Sequence, residues 1–505
     1  METERIEFAD CDEEPRFMFQ DQRTDRRNFR DHRNHATPMR VPLLIVPTLL
    51  TLFVSLNMTC EGLIPVTPAS TEKSIHETIF TEFIPEGYAS TSDCLRCHSD
   101  KGLEILTTGH WLWEGAAANV PGYESETIGK TNLINNFCIA IPSNEGRCTQ
   151  CHISVGWKDT SFDFSDTSRI DCLVCHDNSG QYKKAQTTAG APEESVDLQM
   201  AAISVGKPTR ANCGSCHYYA GGGDNVKHGD LSSAMTDATY ELDVHMAADG
   251  RNWSCQVCHT TVSHEIRGTT EVHSMGGELR CTTCHNSKGI HENSVIDNHT
   301  DKVACQACHL PAFARAVATK TEWYWDEAGQ DIDPIPMDEF GMPTYDKKKG
   351  RSVHAMNVRP ELMWYNHTWE KMAISVSDTY TVEPVVLAAP LGSKDDPDSK
   401  LYPFKKMIGR QPADTVNKRM IVPHLFGMAG GANPYWAKFD WDLAMAEGAA
   451  YTGVDFSGTV GFVDTVMYLT VNHEIAPPSM ALDCNDCHNG GIDFTKLGYS
   501  ADPAG

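Results

Sequence analysis

The pattern C-x-x-C-H occurs twice within residues 148–176, as CTQCH and CLVCH, and the chain repeats it six more times. Two thiols at this spacing can add to the two vinyl groups of one porphyrin, and the histidine that follows can bind the porphyrin iron. Chance does not account for eight matches in a chain with 19 cysteines. The motifs therefore predict eight covalently bound haem c groups.

Each motif supplies two attachment residues and one proximal iron ligand. A zinc site would need two ligand pairs at finger-like spacing and would not place a histidine after every second cysteine. The cysteines outside the motifs are Cys11, Cys60 and Cys138. The predicted haem-binding residues are Cys94, Cys97, His98, Cys148, Cys151, His152, Cys172, Cys175, His176, Cys213, Cys216, His217, Cys255, Cys258, His259, Cys281, Cys284, His285, Cys305, Cys308, His309, Cys484, Cys487 and His488.

Each iron also has a sixth position, and histidines outside the motifs are numerous enough to fill it. Two imidazoles saturate the iron, which suits electron transfer and does not suit substrate binding. We predict structural roles for His273, His354, His367 and His424, and His76 stays open. The candidates that lie near motifs, and that we expect to bind iron, are His110, His228, His245, His264, His291, His299 and His473.

Lys158, six residues after His152, is a candidate for a different kind of ligand. A lysine amine must be neutral to bind iron, and a ferric centre offsets the cost of removing its proton. Six extended residues span about 20 Å, enough to pass around a porphyrin edge. Composition alone favours the other interpretation, a solvated lysine beside Trp157 and Asp159.

The elements that must position these residues are short. Six of the eight motifs fall between residues 148 and 309, which leaves little room for an apolar core between them. We therefore expect a mainly α fold with much irregular coil, a multihaem cytochrome c whose core is packed with haem. Residues 311–483 contain no motif and are rich in Trp, Tyr and Pro. They are interpreted as a wrapping segment in preference to a separate ligand-binding domain.

Five regions are predicted along the chain. Residues 1–38 mix charges of both signs with few apolar groups, which is typical of disorder or of an over-extended start before Met39. Residues 39–69 contain an apolar run with the features of a signal peptide, and a retained membrane anchor is the alternative. The others are the seven-haem region 70–310, the wrapping segment 311–483, and the eighth motif with its tail, 484–505. Haem c attachment also implies an exported protein, in the periplasm or elsewhere outside the cytoplasm.

The formal net charge of -26 argues against nucleic acid or an anionic membrane as partner. An anionic substrate would then need local cations, for which Arg147, Lys158, Lys130 and Lys183 are the candidates. Cys138 lies ten residues before Cys148 and has two interpretations: a thiol that engages sulfur species, or an inert buried thiol.

Several longer stretches resemble the octahaem tetrathionate reductase cytochromes, relatives of octahaem nitrite reductase and hydroxylamine oxidoreductase. They include GHWLWEG at Gly109, INNFC ending at Cys138, RCTQCHISVGWKD, KHGDL at Lys227 and CNDCHNGGIDFTKLGY at the C-terminal end. The similarity covers roughly residues 92–505.

The resemblance implies a periplasmic respiratory reductase. Its active-site haem would be bound through Cys148, Cys151 and His152, with Lys158 as the distal ligand, and the other seven haems would have two histidines each. The substrate would be tetrathionate, nitrite or hydroxylamine. The electron donor would be a quinol-oxidising membrane cytochrome or a soluble cytochrome.

Two other functions remain open. A non-catalytic electron conduit would have eight bis-histidine haems and would use a spare residue such as His354, His367 or His424. Oxidation of hydroxylamine or hydrazine is the reverse chemistry, and its direction depends on potentials that the residues do not give.

Overall fold

The computed structural model describes residues 74–269, 274–275, 277–372, 378–428 and 431–504. The predicted disordered start and signal region therefore lie outside the described residues, as do Cys11, Cys60 and His273.

The helices are short, and seven of the thirteen described α-helices include all or part of a haem motif. Within the described residues the α-helices are α1 Ile75–Glu82, α2 Thr91–Ile105, α3 Gly109–Leu112, α4 Glu145–Cys148, α5 Leu173–His176, α6 Leu198–Ile203, α7 Arg210–His217, α8 Cys255–Cys258, α9 Ser294–His299, α10 Cys305–His309, α11 Tyr435–Lys438, α12 Trp441–Thr452 and α13 Cys484–Cys487. Motifs two and six also use 3-10 turns, Thr149–Cys151 and Cys281–Thr283.

Local sequence explains where several motif helices begin and end. Ser90, Thr209 and Asp483 each form a capping box just before a motif, which satisfies backbone N–H groups at the helix start. At the first motif, His98 takes non-helical angles (φ -117, ψ 37) and kinks α2. The caps thus fix the first cysteine of these motifs, and the histidine is free to leave the helical path.

The strands concentrate in the segment without motifs. Their bounds are β1 Glu114–Ala116, β2 Thr127–Gly129, β3 Thr261–Val262, β4 Glu265–Ile266, β5 Gly268–Thr269, β6 Ser274–Met275, β7 Thr319–Tyr324, β8 Tyr345–Asp346, β9 Gly350–Ala355, β10 Glu361–Tyr365, β11 Thr368–Lys371, β12 Val385–Leu391, β13 Lys400–Asp414, β14 Arg419–Met420 and β15 Val460–Thr470. Strands β7 to β15 form one nine-stranded sheet in the order β11-β12-β15-β13-β7-β9-β8, with β10 and β14 also paired to β13.

Strand β13 is the centre of this sheet. It pairs antiparallel with β15 from Phe404 opposite Thr470 to Asp414 opposite Val460, and it pairs parallel with β7. Helices account for 25% of the residues and strands for 19%, so the expectation of a mainly α fold is not confirmed. The segment predicted to wrap the haems is itself built on a large mixed sheet.

An apolar core lies between this sheet and the chain around residues 117–140. It contains Phe137, Trp323, Phe404 and Met467 among its buried members. The expectation that haem alone would form the core therefore needs a correction: aromatic and β-branched side chains of the sheet bury one another as well, because alternate residues of each strand face inward.

None of the described helices has the length and apolar character needed to cross a bilayer.

Candidate functional site

All sixteen motif cysteines border one continuous cavity of about 3510 Å³. This volume is several times larger than the 300–1,000 Å³ typical of a pocket for one small molecule. Seven of the eight motif histidines border the same cavity. Thioether-forming residues and imidazoles around one large apolar space are the donor set that several covalently bound porphyrins require, so the residues present fit haem c.

The motif histidines are paired with histidines from elsewhere in the chain. In seven pairs the ring centroids are 6.0–6.4 Å apart. Metal–nitrogen bonds are about 2 Å and the nitrogen lies about 1 Å from the ring centre, so two imidazoles that share one iron have centroids roughly 6 Å apart. The pairs are His98 with His76, His176 with His264, His217 with His110, His259 with His473, His285 with His245, His309 with His291, and His488 with His299.

Six of the seven histidines predicted as distal ligands belong to these pairs, and one does not. His228 borders the cavity and interacts electrostatically with Asp230, His217 and His473, but it is absent from the seven described pairs. Its place is taken by His76, for which the sequence favours neither role. His76 lies in α1, 22 residues before its partner His98. Helix α1 carries His76 to the first motif by packing against α6, a long-range contact that sequence spacing does not reveal.

His152, the remaining motif histidine, is turned away from the cavity. Its side chain is fully buried in a box of five aromatic rings: Trp111, Trp113, Trp157, Phe162 and Phe164. Nε2 lies 2.5 Å from the carbonyl oxygen of Trp111, and Nδ1 lies 2.6 Å from Ser154 Oγ. A carbonyl only accepts, so Nε2 carries the proton. Both ring nitrogens are therefore engaged by protein atoms.

The backbone at His152 and just after it is held by a buried lysine. Lys184 Nζ donates to the carbonyl oxygens of His152 and Ser154, and it forms a 3.1 Å ion pair with Asp171. This arrangement satisfies the buried ammonium and holds the loop that follows the second motif.

Lys158 is also outside the cavity. Its side chain is exposed, and the cavity wall, as far as the described residues form it, does not include Lys158. Lys130 does border the cavity, with Nζ 4.3 Å from the centre of the Trp113 ring. Burial and then the neighbouring Lys227 lower the pKa of Lys130, while the thiols of Cys151 and Cys138 act in the opposite direction. The structure thus places Lys130 in the cavity wall beside the cysteines of the second motif, and Lys158 outside the wall that the described residues form.

The position of Lys130 depends on a close backbone contact. Strand β2 pairs with β1, and the amide N–H of Lys130 donates to the carbonyl of Trp113 at 2.8 Å. A Cβ atom on Gly129 would lie 2.1 Å from that carbonyl, so only glycine fits there. Trp113 itself has a positive φ of 54° at the end of α3. Sequence reasoning weighed Lys130 only as a cation; the signal for its position was the glycine before it.

Cys138 lies beside the same motif. Its thiol contacts that of Cys148, and it borders the cavity. The backbone N–H of Cys138 donates to Asn135 Oδ1 at 2.7 Å. Asn136, which follows Asn135 in the chain, is buried against the sheet. Among the described cysteines it is the one outside the motifs. The structure therefore places this thiol at the cavity, and its chemical role stays a prediction.

Several basic side chains border the cavity near the second motif. They are Lys130, Arg147, Lys227 and Lys349, which we call the cation cluster. Lys349 forms an ion pair with Asp346 at 3.5 Å, and Arg147 donates to Gln150 and Gln186. In a protein of net charge -26 this cluster is a local region of positive potential, which favours a small anion. Lys183, also predicted as a cation, is exposed and outside the cavity wall formed by the described residues.

Contacts between cysteines of different motifs show which haem attachment sites are neighbours. The Cys151 thiol contacts Cys216, and Cys213 contacts Cys255, so the fourth motif is next to both the second and the fifth. Direct contacts also join Cys94 to Cys172 and Cys281 to Cys305; Cys175 and Cys213, Cys258 and Cys284, and Cys308 and Cys487 interact electrostatically. The attachment sites thus form a branched series. The second motif is next to the fourth. From the fourth, one branch runs to the third and then to the first, and the other runs in turn to the fifth, sixth, seventh and eighth motifs.

The histidines predicted as structural are hydrogen-bonded to carboxylates. His354 Nδ1 lies 3.0 Å from Asp338, His367 Nδ1 lies 2.6 Å from Glu278, and His424 Nδ1 lies 2.8 Å from Glu447. None of these three histidines belongs to the seven pairs of a motif histidine with a second histidine.

The sixteen cysteines and the paired histidines around one cavity define a multihaem c-type cytochrome. The family model "Cytochrome c bacterial" matches residues 320–491, and "Cytochrome c7 and related cytochrome c" matches residues 238–321. A crystal structure of octahaem cytochrome c from Shewanella oneidensis is 42% identical in sequence, with a TM-score of 0.76; the match covers 82% of this chain and 94% of that one. The chain belongs to the octahaem cytochrome c family, as its motifs indicated.

A more distant relative comes from Archaeoglobus fulgidus. It is an uncharacterized protein, 21% identical over 252 residues, and the match covers 40% of this chain and 83% of the relative. The family establishes covalently bound haem c and redox activity in general terms.

Proposed function

We propose that the protein is an exported octahaem reductase that binds eight haem c groups and reduces a small inorganic substrate, namely tetrathionate, nitrite or hydroxylamine. The observation that carries this proposal is the asymmetry of the histidines. Seven motif histidines face a second histidine at 6.0–6.4 Å, whereas His152 is enclosed by aromatic rings and has both nitrogens hydrogen-bonded. Bis-histidine haems transfer electrons, and a centre without that saturation is where substrate can react.

A haem bound at Cys148 and Cys151 would supply the electrons for the reduction. We assign its lysine ligand to Lys130. This residue borders the cavity beside Cys151, and burial lowers its pKa toward the neutral amine that can bind a metal. The resemblance to the tetrathionate reductases pointed instead to Lys158, which is exposed and less suitably placed.

The cation cluster supports an anionic substrate. Arg147, Lys227 and Lys349 would attract and orient an anion that enters an otherwise acidic protein, and the guanidinium can bind two oxygens at once. The neighbouring aromatic walls, Trp325 and Trp436, exclude water and so strengthen these charge interactions. Electrons would arrive along the series of motifs from a quinol-oxidising membrane cytochrome or a soluble cytochrome.

The test compares Lys130→Ala with Lys158→Ala in the purified, haem-loaded protein. We expect Lys130→Ala to lower kcat by about 100-fold or more with all three substrates, with haem content unchanged, and to alter the electron paramagnetic resonance signal of one haem. Lys158→Ala should keep kcat within about threefold and leave that signal unchanged. The reverse result would return the ligand role to Lys158.

The same spectra decide between a reductase and an electron conduit. In the wild type, cyanide or nitrite should change the signal of one haem and leave seven low-spin signals unaltered. Eight inert low-spin signals, together with no turnover of any of the three substrates, would refute the reductase proposal.

A further inference from the structure

Three polar side chains extend from the surface to the back of the cavity wall. Asp338 lies in the loop between residues 331 and 343, and 16% of its side chain is exposed. His354 in β9 is only 4% exposed, and its Nδ1 lies 3.0 Å from Asp338 Oδ2. Lys320 in β7 is the direct cross-strand partner of His354. Side chains opposite each other on neighbouring strands lie on the same face of the sheet, about 5 Å apart at Cβ.

The inner end of this series reaches the cavity wall. Lys320 Nζ lies 3.4 Å from the centre of the Trp323 ring, and Trp323 borders the cavity, stacked on Trp325. Lys320 interacts electrostatically with Cys138, the thiol beside Cys148, and with Lys349 of the cation cluster. The lysine thus connects His354 with the part of the cavity that belongs to the second motif.

We infer that Asp338, His354 and Lys320 form a proton relay that supplies the reaction at the second motif from solvent. This inference rests on the proposed function and deepens it. A relay is needed only where reduction consumes protons, and the structure therefore favours hydroxylamine or nitrite over tetrathionate as the substrate that the site is built for.

The stoichiometries separate these substrates. Hydroxylamine takes two electrons and three protons, its N–O bond breaks, and ammonium and water leave. Nitrite takes six electrons and eight protons to give ammonium and two waters. Tetrathionate takes two electrons, its central S–S bond breaks, and two thiosulfates leave without any proton. The electrons in each case come from the external donor through the haems.

The charges around the relay suit proton transfer near neutral pH. Burial lowers the pKa of Lys320 to about 7; Lys349 acts in the same direction, and Asp346 and Cys138 oppose it. His354 has a lowered pKa from burial and from Lys320 and Lys405, against the effect of Asp338. The pKa of Asp338 is lowered, chiefly because the backbone N–H groups of Met342 and Phe340 and the His354 ring donate to it against the effect of burial. Thus a neutral imidazole lies between an ionised carboxylate and an amine that exchanges its proton readily.

The first experiment measures two reactions in each variant: the reduction of hydroxylamine, which needs protons, and the reduction of tetrathionate, which does not. In Lys320→Met, His354→Gln and Asp338→Asn, we expect kcat for hydroxylamine to fall by about 100-fold, about 30-fold and about tenfold, respectively. The ratio of the hydroxylamine rate to the tetrathionate rate should fall by at least about tenfold in each of the three variants. Asp338 is near the surface, so its variant tests the relay even where a buried substitution harms folding.

Matched controls use similar residues outside the relay. Asp331 lies in the same loop as Asp338; its side chain is 87% exposed and forms an ion pair with Lys347. The His367 side chain is 41% exposed and forms an ion pair with Glu278. Asp331→Asn and His367→Gln should leave both reactions within about twofold of wild type. Equal losses for both substrates in the relay variants would overturn the inference, because they would indicate a structural or anion-binding role.

A second readout does not use turnover. The reduction potential of the haem at the second motif should fall as pH rises, with an inflection near pH 7 that is lost in Lys320→Met, since a nearby amine takes up a proton when the centre gains an electron. The persistence of this inflection would refute the relay. Wild-type protein that reduces tetrathionate and not hydroxylamine or nitrite would overturn this inference and leave the reductase proposal intact, whereas no activity with any of them would refute both.

Discussion

The thiol of Cys151 contacts the thiol of Cys216, so the attachment sites of the second and fourth motifs lie side by side. The fourth motif is in turn next to the third and the fifth. Among the thiol contacts of the described residues, this is the one that joins the second motif to any other. Electrons that arrive from either end of the branched series should therefore pass through the haem held by His217 and His110.

This position leads to a prediction about electron supply. His110→Met should raise the potential of the fourth haem, because a methionine ligand favours the ferrous state. We expect kcat with a protein electron donor to fall by about tenfold or more, with KM for the substrate unchanged. His76→Met and His299→Met, at the two ends of the series, should have smaller effects, since each leaves the other branch intact. Similar losses in all three variants would contradict the branched order.

The haem of the eighth motif should have a potential set by one carboxylate. Asp502 Oδ1 lies 2.6 Å from His488 Nδ1, and Asp502 also accepts hydrogen bonds from the backbone N–H groups of Asn489 and Ala504. A carboxylate partner makes an imidazole ligand more basic and so stabilises ferric iron. Asp502→Asn should raise the potential of one haem by roughly tens of millivolts, measured by spectroelectrochemistry. Asp493→Asn, on the same tail and away from any imidazole, should change none of the potentials.

The segment that carries Cys138 depends on a buried amide. Asn136 donates to the carbonyl of Met407 at 2.7 Å and accepts from Thr465 Oγ1 and Gln411 Nε2. Asn136→Ala would take one hydrogen-bond partner from each of these buried groups, although Gln411 Nε2 keeps its bond to the Asn135 carbonyl, so we expect it to lower the free energy of unfolding by about 2–4 kcal/mol. Denaturant titration of the loaded protein measures this loss. Asn417→Ala, at a half-buried turn residue whose side-chain amide lies 3.5 Å from Asp455, should change the midpoint little. An equal loss there would mean that the sheet contact is not the cause.

The haem motifs and most of the paired histidines could be predicted from the sequence because they are local. Covalent attachment fixes the spacing of two cysteines and a histidine, and six of the histidines opposite motif histidines were selected by proximity to motifs. Proximity along the chain does not measure proximity in space. It therefore did not select His76, which α1 brings to the first motif by packing on α6, and it did not separate His228 from the histidines that lie opposite a motif histidine.

The sheet and the lysine at the cavity were harder to predict. Strand β13 contains Pro403 and Pro412 and a fully buried lysine, Lys405, features that normally argue against a central strand. Lys405 is tolerated because its Nζ donates to Thr319 and to the carbonyls of Val226 and Lys227. Lys130 reaches the second motif only because strands β1 and β2 fold back on Trp113, which residue spacing does not encode.

Glu145, three residues before Cys148, should make stability depend on pH. Its carboxyl is buried, with Oε1 accepting from Tyr451 at 2.8 Å and Oε2 without a partner among the described groups. Burial raises its pKa to about 7, against the effect of the Tyr451 hydrogen bond. The folded state therefore binds this proton more tightly than the unfolded state does. Stability should fall as pH rises from about 4.5 to about 7, and the full loss of about 3 kcal/mol applies above pH 7.

The matching substitution is Glu145→Gln, which keeps an acceptor for Tyr451 and cannot ionise. We expect it to raise the free energy of unfolding by about 3 kcal/mol at pH 8 and by under about 1 kcal/mol at pH 5. Denaturant titrations at the two pH values give the comparison, with the exposed Glu194→Gln as the control. If the gain is the same at both pH values, the stabilisation comes from packing or hydrogen bonding, and Glu145 is not the group that titrates.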